Sequence, residues 1–185
     1  MAIEQLIPGF RPETALEREL ASDPALLRGL AWGRPRPGHP EGRVGTHVGD
    51  LLAAITEQPG PRRDELRFLA LVHDTLKHQV RPDAAFSLDN DQHGVLARRF
   101  AERFTHDLRI LQTLELHDEP YAIWRRRTHD GRAALECLLE RIPDLSLFLR
   151  FVELDGSTKG KDARPIHWVQ SIVAAQSAAD VPLAA

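Results

Sequence analysis

Apolar residues recur along this chain with the period of an α-helix and nowhere alternate as a strand would. The densest run is 66–77, Leu-Arg-Phe-Leu-Ala-Leu-Val-His-Asp-Thr-Leu-Lys, in which six of the first seven residues are apolar and Arg67 is the exception. A helix that is apolar on every side belongs inside the molecule. The run therefore predicts a central, buried helix that ends in His73-Asp74. Ahead of it, Val44, Val48, Leu51, Leu52 and Ile55 mark one face of a helix over 44–57, with His47 on that same face. Pro59-Gly60-Pro61 stops this helix.

The remaining segments follow the same rules. Residues 14–20 form a short helix, and Asp23-Pro24 is a cap followed by proline at the first helical position, opening a helix over 24–31. Trp32 to Glu41 is too rich in proline and glycine to be regular and reads as a loop against the body. Residues 78–88 read as a second loop. Helices are predicted over 89–104 (His93, Leu96, Ala97, Phe100 and Phe104 on one side) and 107–117 (Ile110, Leu111, Leu114 and His117 inward). Further helices cover 121–127 and 132–142. Pro143-Asp144 opens a last core helix with Phe148, Phe151, Val152 and Asp155 on one face. After a polar loop over 156–164, a closing helix covers 165–178. The class is all-α. The expected organisation is an N-terminal helical arm with its entry loop (1–41), one helical-bundle domain (42–178) and a tail (179–185).

Composition narrows the possibilities without naming a function. A chain of 185 residues with 42% hydrophobic and 28% charged residues is ordinary globular usage, long enough for one core. Its net charge of −3 argues against a dedicated nucleic-acid binder. Cys137 is the single cysteine, so no internal disulfide forms and a reducing cytoplasm fits. The start, Met-Ala-Ile-Glu-Gln, has no signal-peptide pattern, and no stretch has the length of a membrane span. A homodimer is left open.

The chemistry lies in the polar residues that share apolar faces: His47, His73, Asp74, His93, His117 and Asp155. Taken singly, a histidine on such a face is an ordinary core side chain with a hydrogen-bond partner. A carboxylate there needs a cation or donors, because an unpaired buried charge is costly. Six such residues, each from a helix or a helix end, point to a shared metal site. Imidazole and carboxylate donors suit Mn, Fe, Co, Ni or Zn, whereas Mg would want more oxygen.

The order of these residues resembles the HD-domain superfamily, whose pattern is H…HD…H…H…D on a helical bundle; the resemblance covers residues 39–155. It implies that His47, His73, Asp74 and Asp155 bind one metal. It further implies that His93 and His117 bind a second, with Asp74 between the two. Pro35-Arg36-Pro37-Gly38-His39-Pro40-Glu41-Gly42, followed by Val44 and His47, is similar to the entry of the HD domain of some bacterial tRNA nucleotidyltransferases. His73-Asp74-Thr75-Leu76-Lys77 matches HDxxK, with leucine where glycine is usual, and His93 with Ala97 is similar to the family's GHxxxG. The Gly-Gly and Asp-x-Asp signatures of the nucleotidyltransferase head are absent, so the chain looks like a free-standing relative of that module. No Gly-Tyr-Pro follows the pair, and Lys77-His78 replaces the Glu-Asp of alarmone hydrolases.

The resemblance implies a metal-dependent phosphohydrolase acting on a phosphomonoester or phosphodiester, with a nucleotide as the expected small substrate. Bound metal lowers the pKa of its water from 15.7 toward about 7. Asp74 would orient or bridge, and Lys77 would stabilise charge on the phosphoryl group. Arg125 and Lys161 are the further candidates for substrate contacts. Lys77, Lys161 and the run Arg125 to Arg127 also fit plain solvated positions, as does Lys159. His39 and Glu41 either support a metal ligand or only fix the entry loop. His78, His106, His129 and His167 stand outside the pattern. Two rival readings use the same ligands: a di-iron oxygenase of the HD type, and a regulatory module that binds metal or nucleotide without catalysis.

Overall fold

The computed structural model describes residues 1–35, 42–58, 60–80, 92–126, 129–158 and 160–179. Among them the chain is all-helical, without a strand. Ten α-helices follow one another: α1 (Ala15–Ser22), α2 (Pro24–Ala31), α3 (Val44–Glu57), α4 (Arg63–Val72), α5 (His93–Ala101), α6 (Leu108–Leu116), α7 (Glu119–Arg126), α8 (Gly131–Glu140), α9 (Leu145–Gly156) and α10 (Arg164–Ala179). Short 3₁₀ turns form at Ile3–Gln5 and Lys77–Gln79.

Local chemistry sets most of these boundaries. Thr14 caps α1 by accepting from the Glu17 amide, and Asp23 caps α2 by accepting from the Ala25 and Leu26 amides. Asp107 and Asp144 cap α6 and α9 in the same way. Each such cap is worth about 1 kcal/mol. Helix α4 is buried along its whole length from Leu66 to Val72. Its one charged member there, Arg67, survives burial because it makes a two-pronged ion pair with buried Glu17, at 2.7 and 2.8 Å. That pair clamps α1 onto α4.

Several expectations need correction. The segment read as a peripheral arm is part of the body: Ile3, Leu6, Ile7, Phe10, Leu20, Leu26 and Leu30 all join the main core. The central helix, by contrast, ends at Val72 with His73 as its C-cap, at the His73-Asp74 pair where its end is expected. There the Thr75 hydroxyl donates to the Leu71 carbonyl, and the chain tightens into the 3₁₀ turn. The helix expected over 89–104 begins at His93 within the described residues and ends at Ala101, followed by turns. Residues 36–41, 59, 81–91, 127, 128, 159 and 180–185 lie outside the described set. So do His39, Glu41, Arg127, Lys159 and most of both the second loop and the tail.

The core has two parts. The larger gathers the N-terminal segment, α3, α4, α5 and most of α6; the smaller gathers α7, α8 and α10. Helix α9 serves both, with Leu147, Phe151 and Leu154 in the first and Phe148 and Val152 in the second. Phe148 and Phe151 are fully buried, and truncating either to alanine would cost about 3–5 kcal/mol. Helix α9 thus carries Asp155 to the seam between the two parts. No helix among the described residues is long and apolar enough to cross a membrane.

Candidate metal centre

Five helices deliver the six sequence-predicted ligands, all from helix ends. His47 stands in the first turn of α3, and His93 is the first residue of α5. His73 and His117 are the C-caps of α4 and α6, and Asp155 lies in the last turn of α9. Asp74 follows His73 in the tight turn. The C-terminal ends of α4, α6 and α9 carry partial negative charge, which favours a cation where they meet.

His73 and His117 are built alike. Each donates from Nδ1 to a carbonyl three residues earlier: His73 to Ala70 at 3.0 Å, His117 to Leu114 at 2.8 Å. The bond uses a carbonyl that the helix end leaves without an amide partner. It also places the neutral ring's proton on Nδ1, which leaves the Nε2 lone pair for the site. Burial pushes the His73 imidazole down to about 3, and burial likewise lowers His93 to about 4. Both rings are therefore neutral, as metal ligands must be, at physiological pH.

The Nε2 atoms converge. His47 Nε2 and His73 Nε2 lie 3.3 Å apart, as do His93 Nε2 and His117 Nε2. Asp155 Oδ1 is 2.8 Å from His47 Nε2 and 3.6 Å from His73 Nε2. Asp74 divides its oxygens: Oδ2 is 3.6 Å from His73 Nε2, while Oδ1 is 3.6 Å from His93 Nε2 and 4.0 Å from His117 Nε2. Lone pairs facing one another across 3.3 Å are repulsive unless a proton or a cation lies between them. Two groups have ligand atoms all within 4.8 Å of one another and could hold a metal ion: His47, His73 and Asp155, and His73, Asp74 and His117.

The donor chemistry fits a borderline divalent ion. So does one orphaned atom. Asp74 Oδ1 is buried and has no hydrogen-bond partner among the described residues. A cation would satisfy that oxygen, which otherwise pays its full desolvation cost. His47 Nδ1 is likewise buried without a partner among the described residues.

Two lysines complete the electrostatics. Lys77 donates to Asp74 Oδ2 at 2.7 Å, although the α-helix has already ended, because the 3₁₀ turn brings it back. Lys161 donates to Asp155 Oδ1, also at 2.7 Å. Burial alone would raise both carboxyls, but Lys77 at Asp74 and Lys161 at Asp155 hold them well below the usual carboxylate range. Burial alone would lower the Lys77 ammonium; Asp74 and Asp118 raise it above its ordinary value instead.

The centre opens into a cleft of about 510 Å³, of the size that takes small molecules. Asp74, His117 and Asp155 line its floor, and the three candidate substrate contacts, Lys77, Arg125 and Lys161, all line it. Asp118 and Tyr121 line it too and were not singled out as site residues. In the sequence Asp118 reads as a helix breaker; its place directly after His117 was the available signal. Tyr121 is exposed, with the Arg125 guanidinium 5.7 Å from its ring centre. Outside the centre, His78 bonds the Thr75 carbonyl through Nδ1, and His106, His129 and His167 are exposed. No family model, curated protein or solved structure matches this chain.

Proposed function

We propose that the chain is an HD-type, metal-dependent phosphohydrolase that acts on a phosphomonoester or phosphodiester of a nucleotide, with two divalent ions sharing Asp74. The observation that carries this reading is the division of the Asp74 carboxylate, one oxygen toward His73 and the other toward His93 and His117. One carboxylate between two imidazole sets is the arrangement that a two-metal clamp on a phosphoryl group needs.

In this reading His47, His73 and Asp155 hold one ion, and His93 and His117 hold the other. The ions supply Lewis acidity and activate water at neutral pH. The chain's own residues supply the rest. Lys77, fixed against Asp74, keeps a positive charge at the floor of the cleft, where it offsets negative charge growing on phosphoryl oxygens. Lys161 and Arg125 add cations along the wall. Tyr121, with the Arg125 guanidinium over its ring, adds an aromatic group to the cleft that suits a nucleobase, and Val152, Ile166 and Val169 make the cleft partly apolar.

The test is anaerobic. Protein stripped with chelator and reloaded with Mn or Ni should bind about two ions per chain and hydrolyse nucleotide esters without oxygen, releasing inorganic phosphate from a monoester or a monoester and an alcohol from a diester. In a parallel aerobic assay, iron-dependent oxygen uptake without ester hydrolysis would overturn the reading in favour of an oxygenase. Metal binding with neither activity would leave a non-catalytic module.

A further inference from the structure

Asp155 Oδ1 is the most contested atom of the centre. The Lys161 ammonium is 2.7 Å from it, His47 Nε2 is 2.8 Å from it, and His73 Nε2 is 3.6 Å away. The loop after α9 is built to bring Lys161 there. The Thr158 hydroxyl donates to the Asp155 carbonyl at 2.9 Å, and the Lys161 amide donates to the Thr158 carbonyl at 3.1 Å. Gly160, with φ at +88°, permits the turn between them. The side chain then reaches back along the floor of the cleft.

The two lysines differ in their surroundings. Lys77 stands next to a buried turn and feels three carboxylates, Asp74, Asp118 and Asp155. Lys161 sits on a loop whose neighbours Gly160, Asp162 and Ala163 are exposed, and the adjacent carboxylate of Asp162 is taken by Arg164 at 2.6 Å. Asp155 is the carboxylate to which the Lys161 ammonium donates. A divalent ion held by His47, His73 and Asp155 draws on the same oxygen and repels the ammonium. An oxyanion entering the cleft offers that ammonium a replacement partner.

We propose that Lys161 makes oxyanion binding and metal binding cooperative: a phosphate group takes over the Lys161 ammonium and frees the Asp155 oxygen for the ion. This rests on the reading of His47, His73 and Asp155 as metal ligands. Linkage makes the effect reciprocal, so metal tightens phosphate as much as phosphate tightens metal. The centre would then hold its ion most firmly when substrate is present.

The experiment measures Mn²⁺ affinity by calorimetry on the full chain, with and without inorganic phosphate, and needs no turnover. Wild type should bind Mn²⁺ about tenfold more tightly with phosphate, within the usual range of such couplings. Lys161→Met should bind Mn²⁺ about tenfold more tightly than wild type when phosphate is absent, and should gain little from adding it. Lys161→Arg should restore the wild-type pattern. Unchanged or weaker Mn²⁺ binding by Lys161→Met without phosphate would overturn the proposal, as would an equal phosphate effect in both proteins. A wild type that binds no Mn²⁺ would remove the metal centre itself, and with it both readings. Cooperative binding without hydrolysis of any ester would sustain this proposal and sink only the hydrolase.

Discussion

Asp74 has the most to do of any single side chain, because its two oxygens face different neighbours. Oδ2 is held by Lys77 at 2.7 Å, and Oδ1 is buried without a hydrogen bond among the described residues. Its removal should therefore act on both halves of the centre at once. Asp74→Ala is expected to lose metal and turnover together while far-ultraviolet circular dichroism shows the helices intact; full activity in that variant would sink the assignment. Lys77 separates charge stabilisation from metal binding. Lys77→Ala should keep its metal content and lose about 10²–10³ in turnover, the scale of one preorganised donor. An unchanged rate would return Lys77 to a purely structural partner of Asp74. His73 and His117 show what a local pattern can achieve at this scale, since each ring is oriented by a carbonyl only three residues away.

Between helices, close backbone approach decides where these residues meet. Gly94 follows His93 at the start of α5, and a Cβ there would overlap the Glu115 carbonyl oxygen and come within 3.0 Å of that of Leu114. That contact sets α5 against the end of α6 and so sets His93 against His117. Gly94→Ala should push the two apart and reduce bound metal from about two ions toward one, because the His47 and His73 side is untouched. Gly49→Ala is the control: its Cβ would meet only Ile7 Cγ2 at 3.5 Å, an ordinary contact, and stoichiometry should not change. Equal metal content in both variants would refute the positioning role. The helices themselves were legible where periodicity and caps agreed, as at Asp23-Pro24 and over 44–57. The inward side of His47, His93, His117 and Asp155 was legible too, because it follows from spacing within one helix. The end of α4 at His73-Asp74 was legible as well, but the tight turn after it was not: it depends on the Thr75 hydroxyl and on α2, whose Gly29 lies against the Thr75 carbonyl with no room for a Cβ. The burial of the apolar residues from Ile3 to Leu30 was hidden for the same reason: it depends on partners distant in sequence, as the Glu17 pair with Arg67 does.

Across the whole molecule, the centre ties together segments as far apart as His47 and Asp155, 108 residues along the chain. An ion that binds only the folded form stabilises it by mass action, about 4 kcal/mol at a thousandfold excess over its Kd. Chelator should accordingly lower the thermal midpoint, and metal should restore it. The chelated protein should also show a specific pH dependence. His73 and His93 have folded values of about 3 and about 4, against about 6.5 for an unfolded histidine. Between those limits the unfolded chain takes up protons that the folded chain refuses, so stability falls as pH falls. Their contribution is full above about pH 6.5 and is lost progressively toward pH 4. The depressed carboxyls of Asp74 and Asp155 add their own loss only below about pH 3.9. The interval from about 6.5 to 4.5 therefore reports mainly the histidines. Thermal midpoints measured in chelator across that interval should decline with acid, and His93→Gln should decline less than wild type. A midpoint that stays level from pH 6.5 to 4.5 would mean that these imidazoles take up protons in the folded protein, and are not the neutral lone pairs a metal centre requires.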